Sequence, residues 1–319
     1  MPAAGGTGPD AAPDIKKDQM YQHTLKREYE FEGKGLHTGK ISRIIVGPAP
    51  EGTGIRFRKS VSGVEIDAVA ENVTSTSRCT TISSGNENIL TIEHIMSALT
   101  GMGIDNASIV VDGDEIPILD GSARLYVEAF SADGTVAQNA EREYITVPSP
   151  IEVHDEKSGS WVRIEPADRL SYDVTVDFGS KVLGVQTAHW DEDMDYAREI
   201  GFCRTFVFFH EIEYLMQNNL IKGGDVDNAI VVVEYPVTDE QLERMEAAID
   251  RKGLSVVDGY LNNLALRYPN ECGRHKLLDL IGDMRLCGGY LKARITAYKP
   301  GHGINTTAAK AFRESLKNK

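Results

Sequence analysis

Apolar residues recur along this chain at two spacings, and the changes between them predict its elements. From Tyr21 to Asn72 they alternate with polar residues between Gly and Pro punctuation, as in "ISRIIVGPAP" and "GIRFRK", which predicts short strands. In "TIEHIMSALTGMG" the apolar positions Ile92, Ile95, Met96 and Leu99 follow helical spacing, with Thr91 as the expected N-cap and glycines at the end. A strand, "NASIVVDG", a turn, "GDEIPILDGS", and a second helix, "ARLYVEAFSADG", follow.

The same order of helix, glycine turn, strand, polar loop and helix returns near the C-terminus as "HKLLDLIGDMRLCGG", "YLKARITAYK", "PGHGIN" and "TTAAKAFRESL". Residue identity between the two stretches is slight, but the element order matches. The expectation is an α+β protein of two domains of like topology, 20–145 and 146–319, each a layered sandwich of sheet and helix. The second carries an insertion at about 203–235, "RTFVFFHEIEYLMQNNLIKGGDVDNAIVVVEY", which reads as a βαβ unit. Residues 237–273 read as an acidic helix followed by an irregular, Asn-rich connection.

Composition narrows the classes of partner. Lys and Arg number 34 against 48 Asp and Glu, a net charge of −14, with acid gathered at Asp191–Asp195 and Thr238–Asp250 and no basic stripe, so nucleic acid is not an expected partner. The cysteines, Cys79, Cys203, Cys272 and Cys287, show no CxxC spacing, which argues against a disulfide framework or a thiolate metal cluster and fits a reducing cytoplasm. There is no apolar run of about 18 residues, so no membrane insertion is expected. Residues 1–19, rich in Gly, Pro and Ala, read as a disordered lead-in.

Chemistry concentrates on the helix "RHKLLDLIGD". At about 100° per residue, His275, Asp279 and Asp283 line one edge while Leu277, Leu278 and Ile281 spread over the other. His275 and Asp279, four residues apart, can present two metal ligands, or they can be a surface His beside a solvated Asp. His94, at the corresponding place in the first half, can supply a third ligand, with Glu93 turned toward the water of a catalytic zinc; a half-buried His at a helix start is the alternative. His302 lies between two glycines in "AYKPGHGIN", read as a loop before the last helix, where Asp283 can orient it and favour its charged form.

Six motifs occur in one order: "GKGLHTG" at 33–39, "TIEHIMSALTGMGIDN" at 91–106, "EIPILDGSA" at 115–123, "RTFVFFHEIEYL" at 204–215, "GRHKLLDLIGD" at 273–283 and "YKPGHGIN" at 298–305. Through them the sequence, from about Tyr21 to Ala311, resembles the family of UDP-3-O-acyl-N-acetylglucosamine deacetylases, zinc-dependent hydrolases of lipid A biosynthesis in Gram-negative bacteria. The resemblance implies zinc ligands at His94, His275 and Asp279, and hydrolysis of the 2-acetamido group of an acylated UDP-N-acetylglucosamine. Zinc would polarise the carbonyl and lower the pKa of its water to about 7. Glu93 would be the general base, Thr205 would help hold the oxyanion, and His302, kept charged by Asp283, would protonate the amine.

For the rest of the substrate, the expected contacts are Lys276 and Lys299 with the diphosphate, Phe178 with uridine, and Phe206 and Phe208 with sugar or acyl chain, beside Gly301. Ile212, Leu215, Val226 and Ala229 of the insertion are expected to shelter the acyl chain, at about 25 cal/mol per Å² of apolar area removed from water. Iron or cobalt can occupy the same ligands as zinc. A monomer is expected. Some relatives are fused to a hydroxyacyl carrier-protein dehydratase, whereas this chain stops a few residues after its last predicted helix, as an unfused or shortened protein would. The competing class is a non-catalytic lipid- or nucleotide-sugar-binding relative, which would be expected to lack at least one of Glu93, His94, His275, Asp279 and His302; all are present.

Overall fold

Our computed structural model describes residues 20–212, 223–224, 227–249, 251–262 and 264–317. Two sheets built on one pattern frame it. In the first, β1 (Tyr29–Lys34), β2 (Ile41–Pro48), β3 (Ile55–Lys59), β4 (Glu65–Asp67) and β5 (Ala107–Asp112) lie in the order β1-β2-β5-β3-β4. In the second, β6 (Ile151–Asp155), β7 (Ser160–Pro166), β8 (Ser171–Asp177), β9 (Val185–Asp191) and β10 (Leu291–Tyr298) lie in the order β6-β7-β10-β8-β9. The pairings agree one by one: β5 runs parallel to β3, as β10 does to β8, and the others along each path are antiparallel. A short strand, Ile145–Thr146, adds a parallel pairing to β10.

Each sheet carries a helix before its last strand and another after it: α1 (Glu93–Gly101) and α2 (Arg124–Asp133) in the first half, α3 (Glu271–Met284) and α4 (His302–Lys317) in the second. Alternation along β2 and β10 turns Ile44 and Val46, and Ala293 and Ile295, into one continuous core. The helices α1 and α3 pack against each other within it. Their backbones come so close that only a residue without a β-carbon fits at Gly282, opposite the Glu93 carbonyl. The fold is α+β, as the sequence predicts.

Ile92, Ile95, Met96 and Leu99 are all buried, as their spacing predicts, but so are Glu93, His94 and Ser97. The helix is enclosed on every side, so its polar residues face protein. Thr91 is not the N-cap. It takes a positive φ of 61°, Ile92 precedes the helix without a side-chain cap, and the Thr91 hydroxyl donates instead to the buried carboxylate of Glu115 at 2.8 Å. A second correction concerns His302, which opens α4 and does not sit in a loop before it.

The insertion pairs Phe206–Phe208 in parallel with Ile230–Val232, as a βαβ unit requires. The connection at 237–273 is more ordered than expected. After a helix, Asp239–Ala248, with a Thr238/Gln241 capping box, Val256–Val257 and Tyr260–Leu261 complete the insertion's sheet. Period-two alternation gives this sheet two small cores: Phe208, Ile230 and Val232 pack with Leu183 and Cys272 on one face, and Val231, Val233 and Ile212 with Met245 and Leu261 on the other. The sequence reading assigned no element between Asn72 and Thr91. That stretch forms a three-stranded sheet, Val73–Ser75, Thr81–Ser84 and Glu87–Ile89. Among the described residues no helix is long and apolar enough to cross a membrane.

Candidate active site

The meeting of α1 and α3 brings together residues from both halves of the chain. His94, His275 and Asp279 are all buried, and one ligand atom from each lies within 4.8 Å of the others. Asp279 Oδ1 is 3.3 Å from His275 Nε2 and 3.7 Å from His94 Nε2, and among the described residues nothing donates a hydrogen bond to it. An ionised oxygen left bare in the interior is costly unless a cation or a donor meets it. His275 Nδ1 faces the carbonyl oxygen of Cys203 at 3.1 Å, so that nitrogen carries the proton and Nε2 offers its lone pair.

Electrostatics fit the same use. Burial, with the neighbouring His275 adding to it, pushes the His94 imidazolium down to about 3, and burial also lowers His275, so both rings are neutral near pH 7. Burial opposes ionisation of Asp279, but His275, Lys276 and His302 outweigh it and hold the carboxyl well below its usual range. Lys276 donates to the other oxygen, Oδ2, at 2.8 Å. This donor set, two neutral imidazoles and one carboxylate with a bare oxygen, fits a divalent metal ion.

Beside the cluster stand a carboxyl and an imidazole that can exchange a proton. Glu93 Oε1 is 3.7 Å from His302 Nε2, and His302 Nδ1 donates to Asp283 Oδ2 at 2.9 Å. Burial raises the Glu93 carboxyl to about 7, with Asp283 and Asp279 adding to the rise against the pull of His302. Burial would lower His302, but the charges of Asp283 and Glu93 more than offset it and lift the imidazolium to about 9. Near pH 8 the pair therefore holds an ionised carboxylate and a protonated imidazole.

The substrate contacts expected from the sequence divide. Phe178, 44% exposed at the end of β8, meets Phe206 and Phe208 edge-on at 5.5 and 5.6 Å between ring centroids, although more than 25 residues separate them in sequence. The Phe206 centroid is 6.5 Å from that of His275, and Lys276 Nζ is 5.8 Å from it. Lys299, at a positive φ of 50°, sits near Asp177, the neighbour of Phe178, with Nζ 3.7 Å from Oδ2. Gly301 precedes α4, and its carbonyl accepts from Asn305.

Thr205 bonds through its backbone to Gly121 and Ile230, between Cys203 and Phe206, both of which border His275. The preceding residue anchors this segment: Arg204 and Glu271, both buried, form a two-pronged ion pair at 2.8 and 3.0 Å. Ile212 packs into one of the insertion's small cores and Ala229 is half-buried. Leu215, Val226 and residues 1–19 lie outside the described residues.

A family model described as UDP-3-O-acyl N-acetylglycosamine deacetylase matches residues 22–257 and 254–314, which include Glu93, His94, His275, Asp279, Asp283 and His302. The chain belongs to this deacetylase family. It is 42% identical over 300 residues to the bifunctional enzyme LpxC/FabZ of Porphyromonas gingivalis, covering 93% of this chain and 65% of that relative. The bifunctional enzyme LpxC/FabZ of Bacteroides thetaiotaomicron is 41% identical, with 65% of its length covered. This chain thus spans just under two-thirds of each bifunctional relative. Against the UDP-3-O-acyl-N-acetylglucosamine deacetylase of Saccharophagus degradans it is 40% identical over 290 residues, 89% of this chain and 87% of the relative.

Three residues that support this deacetylase-family site escaped the sequence reading. Thr80 and Asn305 donate to Asp283 at 2.5 and 2.9 Å, and Glu115 gathers the backbone N–H groups of His37 and Thr38 and the hydroxyls of Thr38 and Thr91. Glu115 had a signal, an acid directly against the apolar run "IPIL". Thr80 had none, since one threonine in "STSRCTTIS" looks like any other.

Proposed function

We propose that this chain hydrolyses the 2-acetamido group of a UDP-3-O-acyl-N-acetylglucosamine, releasing acetate and the free amine, at the step that commits the sugar to lipid A. The observation that carries this reading is the buried His94, His275 and Asp279 cluster standing beside the Glu93 and His302 pair, with contributions from both halves of the chain, divided in this reading near residue 146.

In this reading His94, His275 and Asp279 hold one divalent ion, zinc, although iron or cobalt suits the same donors. When bound, the ion polarises the amide carbonyl as a Lewis acid and lowers the pKa of water. Glu93 takes the proton of the attacking water as the new carbon–oxygen bond forms. Thr205 offers its hydroxyl to the oxygen that gains negative charge. His302, kept charged by Asp283, gives its proton to the nitrogen as the carbon–nitrogen bond breaks, so that an amine leaves and not an amide anion. Lys276, fixed by Asp279, puts a further positive charge beside Phe206.

Phe178 stacks on the uracil, with Lys299 toward the diphosphate and Gly301 leaving room for the sugar. Phe206, Phe208, Ile212, Leu215, Val226 and Ala229 shelter the acyl chain. In this reading the chain acts in the cytoplasm as a monomer and meets the membrane through its lipid-bearing substrate and product.

The deciding experiment measures acetate release from an acylated UDP-N-acetylglucosamine by wild type and His275→Ala, each with its metal content. Activity that follows about one metal ion per chain, and is lost with it in the variant, supports the reading. Full activity in a metal-free variant refutes it, as does an inert, metal-loaded wild type.

A further inference from the structure

Thr80 belongs to the three-stranded sheet region of the first half and has no exposed surface. Each of its polar groups is engaged. Its N–H donates to Glu93 Oε2 at 3.1 Å, its carbonyl accepts from the N–H of Ile92 at 3.4 Å, and its hydroxyl donates to Asp283 Oδ1 at 2.5 Å. The partner of that hydroxyl lies 203 positions away in sequence. One residue thus touches both carboxylates that face His302.

The division of labour at Asp283 makes the hydroxyl matter. His302 Nδ1 and Asn305 Nδ2 both donate to Oδ2, and among the described residues Thr80 supplies the hydrogen bond to Oδ1. Asn305 and His302 belong to one helix, α4, and Asp283 lies in the last turn of α3, so these bonds tie together only the second half. Glu93 belongs to the first. Without Thr80, the carboxyl of Asp283 keeps its partners on one edge but can turn about them, and His302 turns with it relative to Glu93. A buried carboxylate whose two oxygens are bonded from two directions has a fixed plane, and that plane sets the imidazole's direction.

We propose that Thr80 is a positioning residue that aligns the two ends of the proton-transfer pair across the boundary between the halves, its N–H fixing Glu93 and its hydroxyl fixing Asp283. Its influence on the reaction passes through those groups and not through contact with substrate or metal. This inference rests on the proposed hydrolysis for its kinetic arm but not for its spectroscopic one.

The test compares metal-loaded wild type with Thr80→Val, which removes the hydroxyl and keeps the N–H, and with Thr80→Ser, which keeps both. Thr80→Ala accompanies them as a second variant without the hydroxyl, in case valine beside the carboxylate prevents folding. With an acylated UDP-N-acetylglucosamine as probe, loss of the hydroxyl should lower kcat about 10- to 100-fold with KM and metal content little changed, and serine should restore most of the loss. In an Asp283→Asn background the same change should add little, because the effect runs through Asp283.

The second arm needs no substrate. In zinc-loaded protein labelled with nitrogen-15 in histidine, the ring resonances of His302 should move in Thr80→Val while those of His94 and His275 stay in place. Wild-type kcat without the hydroxyl, serine as slow as valine, a full additional loss in Asp283→Asn, or an unmoved His302 resonance would each overturn the proposal. An inert wild type with a shifted His302 resonance refutes the proposed hydrolysis and leaves Thr80's role standing.

Discussion

A β-carbon built on Gly282 would lie 2.1 Å from the carbonyl oxygen of Glu93. The contact is backbone against backbone, so no side chain can swing away to make room. It sets how closely α1 and α3 approach, and through them the separation of His94 from His275 and Asp279. Gly282→Ala should push the helices apart, at a cost of about 1–3 kcal/mol in stability from overpacking. Since a misplacement of about 1 Å can cost roughly 100-fold in rate, kcat/KM should fall by that order and metal binding should weaken. Thermal melting together with metal titration checks this; a variant with native affinity and rate would show that the approach is looser than the contact implies.

The bare Oδ1 of Asp279 predicts that metal and stability are linked. A bound ion present at a hundred times its Kd stabilises the folded chain by about 2.7 kcal/mol. Stripping the ion with a chelator should therefore lower the melting temperature by several degrees, and returning zinc should recover it. Equal melting of stripped and loaded protein would remove the cluster as a metal site.

The acid and base should shape the pH profile. Burial raises Glu93 to about 7, and if it works ionised, as proposed, kcat/KM should rise with pH through that value. Asp283 and Glu93 lift His302 to about 9 against its burial, and if it works protonated, as proposed, kcat/KM should fall as pH passes that value. The expected curve is a bell with its top between them. Asp283→Asn removes the charge that most strongly raises the His302 imidazolium, and so should move the descending limb to lower pH; a limb that stays put would exclude His302 as its source.

Arg204 and Glu271 are a buried pair, and removing one member leaves the other's charge without compensation. Arg204→Met should destabilise the chain by about 3–5 kcal/mol and disorder the approach of Thr205 and Phe206 to His275. Replacing both residues with apolar ones should cost much less than either single change. Denaturant titration of the two single variants and the double variant measures the coupling, and purely additive losses would contradict it.

Phe178 makes its contacts through the edges of Phe206 and Phe208 and keeps 44% of its surface exposed. If that surface receives the uracil, Phe178→Ala should raise KM about tenfold or more and leave kcat within a few-fold. A fall in kcat at unchanged KM would place its role elsewhere.

Much of this was written locally. The spacings of Ile92, Ile95, Met96 and Leu99 and of Leu277, Leu278 and Ile281, and the repeated order of elements, anticipate α1, α3 and the matching path of pairings in the two sheets, because periodicity records which face of an element leaves water. His94, His275, Asp279, Glu93 and His302 stood out because their residue types and spacing suit metal ligation and proton transfer and because the family's motifs contain them; that all but His302 are buried is a result of the fold. What the chain could not announce was which polar atoms meet across long separations. Thr91 had the composition of an N-cap, yet its hydroxyl goes to Glu115, since a buried carboxylate loses more by lacking a donor than a helix end does. Thr80 reaching Asp283, Gly282 admitting the Glu93 carbonyl, and Phe178 joining Phe206 and Phe208 are likewise decided by the packing of the two halves. Local sequence fixes the direction in which a side chain leaves its own backbone; which partner stands there depends on tertiary contacts, whose free energy comes from burying groups far apart along the chain.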